Sequence, residues 1–201
     1  MIIKSKFITS YILVLSGLVI YIILAIHEFD KALLDFFLRY TGIISFLLFT
    51  LSFGISGMDY FFKNPLTKWI LRRRKAFGLT FAGFFAIHFS LIGVKSILLG
   101  DDFNANPNLE TILVFFAVLL MSVTSIPYLI RKLGASNWKA LHLICGLYIS
   151  FGLIKFYTFS LDRINHALIF LILIYSVLVL KLAMYTHRFY KHKMKENEIS
   201  G

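Results

Sequence analysis

The sequence has few charged residues, few acids among them and a single cysteine, and each scarcity excludes a class of protein. Charged residues make up 15% of the 201 residues, whereas a soluble domain has about 25%, so there is too little polar surface to coat a water-soluble globule. Cys145 is the only cysteine, which excludes a disulfide within the chain and leaves nothing to support a zinc site. Acidic residues number 10 against 21 Lys and Arg.

Apolar residues dominate instead, at 59% of the chain with 22 Phe. A membrane-spanning helix needs about 20 mostly apolar residues, and runs of that length occur at about 7–26, 40–61, 76–99, 110–130, 139–160 and 164–185. The first run follows Lys4 and Lys6 but has no small-residue cleavage site after it, so we expect a helix there rather than a signal sequence. The sequence predicts an all-α integral membrane protein, one domain over residues 1–201, built as a bundle of about six transmembrane helices.

The net charge of +11 lies at the ends of the apolar runs rather than along one face. This distribution argues against a nucleic-acid partner and is typical of topology signals. The N-terminus and residues 63–75, 131–139 and 181–195 are basic, whereas the alternate connections are acidic or mixed. Because Lys and Arg are enriched on the cytoplasmic side, we expect a multi-pass protein of the inner (plasma) membrane with both termini in the cytoplasm.

Titratable groups are costly at membrane depth and need a reason, and four residues of the predicted spans are candidates on this ground: His88, Lys95, His142 and Lys155. At about 1.5 Å rise per residue, His88 lies roughly 20 Å and Lys155 roughly 24 Å from the basic end of their spans, which places both in the outer half. His142 is one turn inside the inner surface. Lys95 is close enough to the outer edge to extend its ammonium group to water.

Two interpretations of the histidines follow. In the first, His88 and His142 are axial ligands of b-type haem between the third and fifth spans, since neutral imidazole is a common haem ligand and helical bundles hold porphyrins. In the second, each imidazole only hydrogen-bonds a neighbouring helix. Neither span has a second histidine thirteen or fourteen residues further on, where Lys155 follows His142. The sequence therefore predicts at most two ligands, at different depths.

Two blocks of sequence around these histidines resemble a known family. Residues 72–79 (RRRKAFGL) lead to 84–88 (FFAIH), and residues 121–125 (MSVTS) lead through Leu133-Gly134 to 138–142 (WKALH). These blocks are similar to the ferric reductase-like transmembrane domain family, and most to its haem-binding membrane subunits of periplasmic methionine sulfoxide reductase systems (the MsrQ family). The resemblance covers about residues 40–160.

The resemblance implies one or two b haems, with His88 and His142 as iron ligands. It implies a chain that relays electrons from a cytoplasmic flavin reductase or from quinol to a periplasmic acceptor, with a separate methionine sulfoxide reductase subunit as a candidate partner. Such a chain is an electron-transfer component of an oxidoreductase system rather than a stand-alone enzyme. FMN or a quinone stays open as a further cofactor, and the bilayer is the remaining partner.

Three positions depart from the family pattern. Lys155 stands where the family has its second histidine of the fifth helix, Leu143 replaces a frequent basic residue, and residues 54–57 (GISG) replace a Thr-Pro pair. A deprotonated Lys155 could bind haem iron; alternatively it stays charged and faces the outer water, which we favour because that needs little burial.

These departures also support a second hypothesis, a haem-free or haem-poor descendant that serves as a membrane scaffold or assembly partner. A transporter, the third interpretation, is suggested by Lys95 and Lys155 but lacks the Gly/Pro helix interruption expected at a midplane site, because Pro127, the only proline within a predicted span, lies near the inner end of the fourth.

Overall fold

A computed structural model of the chain describes residue 17 and residues 31–99, 109–162, 164 and 166–200. Within these ranges the chain is helical and contains no strand. Seven helices follow one another there: α1 Lys31–Phe62, α2 Pro65–Arg72, α3 Arg74–Leu99, α4 Leu109–Val123, α5 Pro127–Leu133, α6 Ala135–Phe159 and α7 Ala167–Ser200. Except for residue 17, the first predicted span (7–26) lies outside the described residues.

Four helices of the described part are long and apolar enough to cross a membrane: α1, residues 74–96 of α3, α6 and residues 167–194 of α7. A fifth span is present if α4 and α5 are counted as one broken span. The prediction of an all-helical protein is confirmed over these residues, and the length and apolar composition of several helices support a multi-pass membrane protein. The described residues account for four or five of the six predicted spans.

The predicted continuous span at 110–130 is wrong at its C-terminal end. Helix α4 ends at Val123, and α5 departs from its direction by 97°. Pro127 begins α5 and has no N–H to continue the α4 hydrogen-bond ladder. Ile126 is extended, with φ −67° and ψ 132°, as expected of a residue that precedes proline. One proline therefore breaks the span.

The basic connection at 63–75 is not a simple loop, because it contains the short helix α2. Asn64 caps this helix by accepting a hydrogen bond from the Thr67 backbone N–H at 2.7 Å, and Pro65 occupies its first turn. Both features favour helix initiation. The guanidinium of Arg73 lies 4.1 Å from the centre of the Trp69 ring, a combination of aromatic and basic side chains typical of a membrane interface.

The chain divides into two compact units. The first comprises Met1–Phe49 and Lys75–Gly152. In it, the buried residues Leu34 and Leu91 pack together, and the rings of Phe49 and Phe81 lie 5.3 Å apart. These contacts join α1 to α3 within the unit.

The second unit comprises Thr50–Arg74 and Leu153–Gly201. Here α1 packs closely on α7: an ideal Cβ built on Gly54 would lie 2.7 Å from Val177 Cγ2, and one on Gly57 would lie 3.2 Å from the Leu180 carbonyl carbon. Small residues let membrane helices approach each other in this way. The GISG sequence at 54–57 thus has a packing role here.

Large apolar side chains remain exposed on several helices. Phe116 of α4 is 56% exposed, and Val179 and Leu182 of α7 are 63% and 67% exposed. Such surface would be costly in water, but lipid solvates it without penalty. By contrast, 56% of the apolar window of α1 is buried, and α1 carries the polar residues described next.

Candidate functional site

His88 lies in the first unit, in the middle of α3, and is held by α1. Its Nδ1 is 3.0 Å from Thr41 Oγ1, and Thr41 is buried at 3% exposure. The threonine hydroxyl has one hydrogen, and its shortest contact, 2.7 Å, is to the Phe37 carbonyl, which can only accept. Thr41 Oγ1 also lies 3.2 Å from the Leu38 carbonyl, a second acceptor, so we assign the Thr41 hydrogen to the α1 carbonyls and the tautomer of His88 in which Nδ1–H donates to Thr41 Oγ1.

This tautomer has a chemical consequence. Neutral imidazole has one N–H and one lone pair, so Nε2 of His88 keeps the lone pair. Histidines that bind metals usually donate the other ring N–H to a fixed acceptor, which orients the ring. Thr41 supplies such an acceptor to His88.

The ring of His88 also rests directly on the backbone of α1. An ideal Cβ on Gly42 would lie 3.1 Å from Cε1 and 3.7 Å from Nε2 of His88. The distance to Cε1 is shorter than most Cβ contacts in proteins. A methyl group at position 42 would require the imidazole to shift by a few tenths of an ångström. Gly42 and Thr41 together therefore fix where His88 lies.

His142, also in the first unit, is held by a threonine in the same manner but through the other nitrogen. Its Nε2 is 3.2 Å from Thr124 Oγ1, and Thr124 donates its own hydrogen to the Leu120 carbonyl at 2.7 Å. By the same reasoning, His142 donates its Nε2–H to Thr124. The imidazole is 8% exposed and lies 4.3 Å from the Trp138 ring one turn earlier.

Two buried side-chain polar atoms in the described part of the chain have no hydrogen-bond partner: Ser45 Oγ and Trp138 Nε1. Ser45 lies one helical turn after Thr41, which binds His88, and Trp138 lies one turn before His142. Buried polar groups are nearly always paired, and an exception calls for an explanation such as an absent ligand. Trp138 therefore lies against one candidate histidine, and Ser45 lies one turn from the residue that contacts the other.

The two lysines of the predicted spans are placed differently. Lys95 Nζ lies 2.7 Å from Asp35 Oδ1 in an ion pair of the first unit, so its charge is explained without a transported substrate. Lys155 is exposed on α6, four residues before the end of the helix, in the second unit. An exposed lysine this near a helix end can extend its ammonium group to the interface.

No group of three or more His, Cys, Asp or Glu side chains in the described ranges could hold a metal ion. Comparison of the chain with protein-family models, curated proteins and solved structures gives no match. The resemblance of the sequence blocks around His88 and His142 is therefore a hypothesis whose support must come from the site itself.

Haem b can be tested against these residues. His88 fits an iron ligand, because Nε2 keeps its lone pair and Nδ1–H is held by Thr41. His142 does not fit through Nε2 in this arrangement, because that nitrogen carries the hydrogen donated to Thr124. The unpaired Ser45 hydroxyl and Trp138 indole N–H fit a polar group near each histidine.

The sequence identified both histidines but none of the residues that hold them. Thr41, Ser45 and Thr124 are polar residues within or beside apolar runs, and the first two are four residues apart on one face of α1. That spacing is a signal that could have been noticed. The role of Gly42 could not, because it depends on a ring contributed by another helix.

Proposed function

We propose that this protein is a multi-pass membrane subunit that binds b-type haem and transfers electrons, with His88 as the principal iron ligand. The observation that carries the proposal is the geometry of His88: an imidazole within an apolar span whose Nδ1–H is fixed by Thr41 and whose Nε2 keeps a lone pair. Haem iron, when bound, supplies reversible one-electron chemistry.

The protein's own residues have three tasks in this proposal. Thr41 and Gly42 orient His88. Ser45 and Trp138 supply hydrogen-bond donors that lack partners among the described residues. His142 serves as a further ligand only if its imidazole exchanges the contact with Thr124 for one with iron.

The direction of transfer rests on the charge pattern. The basic connections at 63–75 and 131–139 favour a cytoplasmic location, so we place both termini inside and the protein in the inner membrane. Electrons would then enter from a cytoplasmic flavin reductase or from quinol and leave to a periplasmic acceptor, with a methionine sulfoxide reductase as the candidate partner. FMN or a quinone is a candidate second cofactor.

A haem-poor scaffold is the second candidate function. It is favoured by the bond from His142 Nε2–H to Thr124 and by Lys155, which is exposed where the family carries a histidine. In this alternative the two threonine–histidine pairs serve only to join helices. A polar pair of that kind stabilises a membrane bundle by about 0.6–2 kcal/mol.

A reduced-minus-oxidised spectrum of the purified full chain, expressed with ample haem, distinguishes the two functions. The electron-transfer proposal predicts the α-band of haem b in this spectrum. The pyridine haemochrome then gives the number of haems per chain. His88→Ala should remove most of that band. His192→Ala is the matched control, because His192 is 78% exposed and pairs with Glu196, and it should leave the band unchanged.

Absence of the band in the folded wild-type protein would refute haem-dependent electron transfer and leave the haem-poor scaffold as the candidate function. A band that survives His88→Ala would show that another residue is the principal ligand. His142→Ala adds a third readout: a changed band position or stoichiometry assigns His142 to iron, and an unchanged band assigns it to Thr124 alone.

A further inference from the structure

A second polar feature lies in the second unit, where α1, the start of α3 and α7 meet. Lys181 of α7 begins the basic stretch at 181–195 that the sequence assigns to the cytoplasmic side, and it lies near the end of the predicted span 164–185. The structure instead buries it to 5% exposure. The cause is the close crossing of α1 and α7: Gly57 lies against Leu180, so the next side chain on α7 falls between the two helices.

Lys181 reaches two groups of α1 there. Its ammonium lies 4.1 Å from the centre of the Phe53 ring and 3.4 Å from Ser56 Oγ. The ring attracts the cation through its quadrupole, and the hydroxyl accepts one hydrogen bond. An ammonium has three N–H donors, so these contacts leave hydrogen-bonding capacity unused.

A second cation lies next to it. Arg74, the first residue of α3, donates its Nε–H to the Ser52 carbonyl at 2.9 Å. Ser52 is one turn before Ser56, the residue that Lys181 contacts, so the two cations lie along the same stretch of α1, where their like charges repel. Two like charges thus share one part of the second unit.

Within the ranges that the structure describes, no carboxylate forms a salt bridge with Lys181 or Arg74. Burying a charge is costly unless an opposite charge compensates it, and a second cation nearby raises that cost. The natural compensation is an anion that touches both. Tyr185, one turn beyond Lys181 on α7, is 42% exposed.

We propose that Lys181 and Arg74 bind a phosphate-bearing anion, with Ser56 and Tyr185 as neutral hydrogen-bonding neighbours. A buried ammonium and a guanidinium suit the charge and the several acceptor oxygens of a phosphate group. Basic sites between membrane helices commonly hold the headgroup phosphate of anionic lipids, and free phosphate offers the same chemistry. The site is separate from the histidines and does not depend on haem.

The test measures thermal unfolding of the delipidated full chain in detergent, by tryptophan fluorescence. Three additions are compared: phosphatidylglycerol, phosphatidylcholine, and phosphatidylcholine with inorganic phosphate. The variants are Lys181→Met, which removes the charge but keeps the length, and Lys181→Arg, which keeps the charge. Lys191→Met is the matched control, because Lys191 is exposed on the same helix.

We expect phosphatidylglycerol to raise the melting temperature of the wild type, of Lys181→Arg and of Lys191→Met. Lys181→Met should weaken the apparent affinity by about fivefold or more, the effect of one cation near a lipid phosphate. If inorganic phosphate with phosphatidylcholine protects equally and with the same dependence on Lys181, the anion is free phosphate rather than lipid.

The proposal is overturned if phosphatidylglycerol raises the melting temperature of Lys181→Met as much as that of the wild type. It is also overturned if neither phosphatidylglycerol nor inorganic phosphate stabilises the wild type more than phosphatidylcholine alone does. If Lys181→Met does not fold, native mass spectrometry of the wild type gives the answer. The site is supported if the wild type retains phosphatidylglycerol in preference to phosphatidylcholine, and if Lys181→Arg preserves this preference while Arg74→Gln reduces it. Equal retention of both lipids refutes the site.

Discussion

Replacing Gly54 by alanine adds a methyl group where α1 already touches α7. The new Cβ would lie 2.7 Å from Val177 Cγ2 and 3.2 Å from Cγ1, and the first distance is shorter than Cβ contacts in real proteins. Val177 is buried at 6% exposure, and a β-branched residue in a helix is nearly confined to one rotamer. The methyl group therefore forces the two helices apart.

Two opposing terms set the magnitude. Alanine gains about 0.5–1 kcal/mol over glycine inside a helix, while overpacking costs about 1–3 kcal/mol. We expect a net loss of about 0–2.5 kcal/mol in the free energy of unfolding. Gly93→Ala is the matched control, because Gly93 is exposed in α3 with nothing within 4 Å of its Cβ position. This variant should therefore show only the stabilising helix-propensity term.

The free energy of unfolding can be measured by titration of mixed micelles with sodium dodecyl sulfate, followed by far-UV circular dichroism. The difference between the two variants isolates the packing term at about 1–3 kcal/mol. The double variant Gly54→Ala/Val177→Ala should recover part of the loss, because it removes the methyl groups in conflict. If Gly54→Ala is as stable as Gly93→Ala, the close contact between α1 and α7 is refuted.

Three further predictions use the same purified protein or intact cells. Thr41→Val should cost about 1–3 kcal/mol in the same titration, because it leaves the imidazole N–H without an acceptor, while Thr41→Ser should retain stability; equal stability of both variants would contradict the assigned bond. Ser45→Ala should stabilise the haem-free protein by about 1 kcal/mol, since it removes a buried hydroxyl without a partner, and a loss of that size would show that the hydroxyl is paired. In a cysteine-free background, an impermeant maleimide added to intact cells should label Asp162→Cys and spare Lys191→Cys until the membrane is opened; the reverse pattern would invert the topology.

The sequence is a good guide to spans because hydropathy is a local property. Helix α6 begins and ends within four residues of its predicted span at 139–160. The break at Pro127 was missed for another reason: apolar composition continues through the proline, and only its backbone geometry ends the helix. Helix α7 shows the opposite case: the apolar run ends before the helix does, because the helix continues to Ser200. Hydropathy therefore does not predict where this helix ends.

The sequence by itself established the membrane environment and singled out His88 and His142, because a polar side chain in an apolar run is visible without any knowledge of its neighbours. Tertiary structure alone decided what those imidazoles do with their nitrogens. Thr41 and His88 are 47 positions apart, and no local pattern records that pairing. The same holds for Lys181, which in the sequence begins a basic stretch at the end of an apolar run and is buried because Gly54 and Gly57 let two distant helices touch.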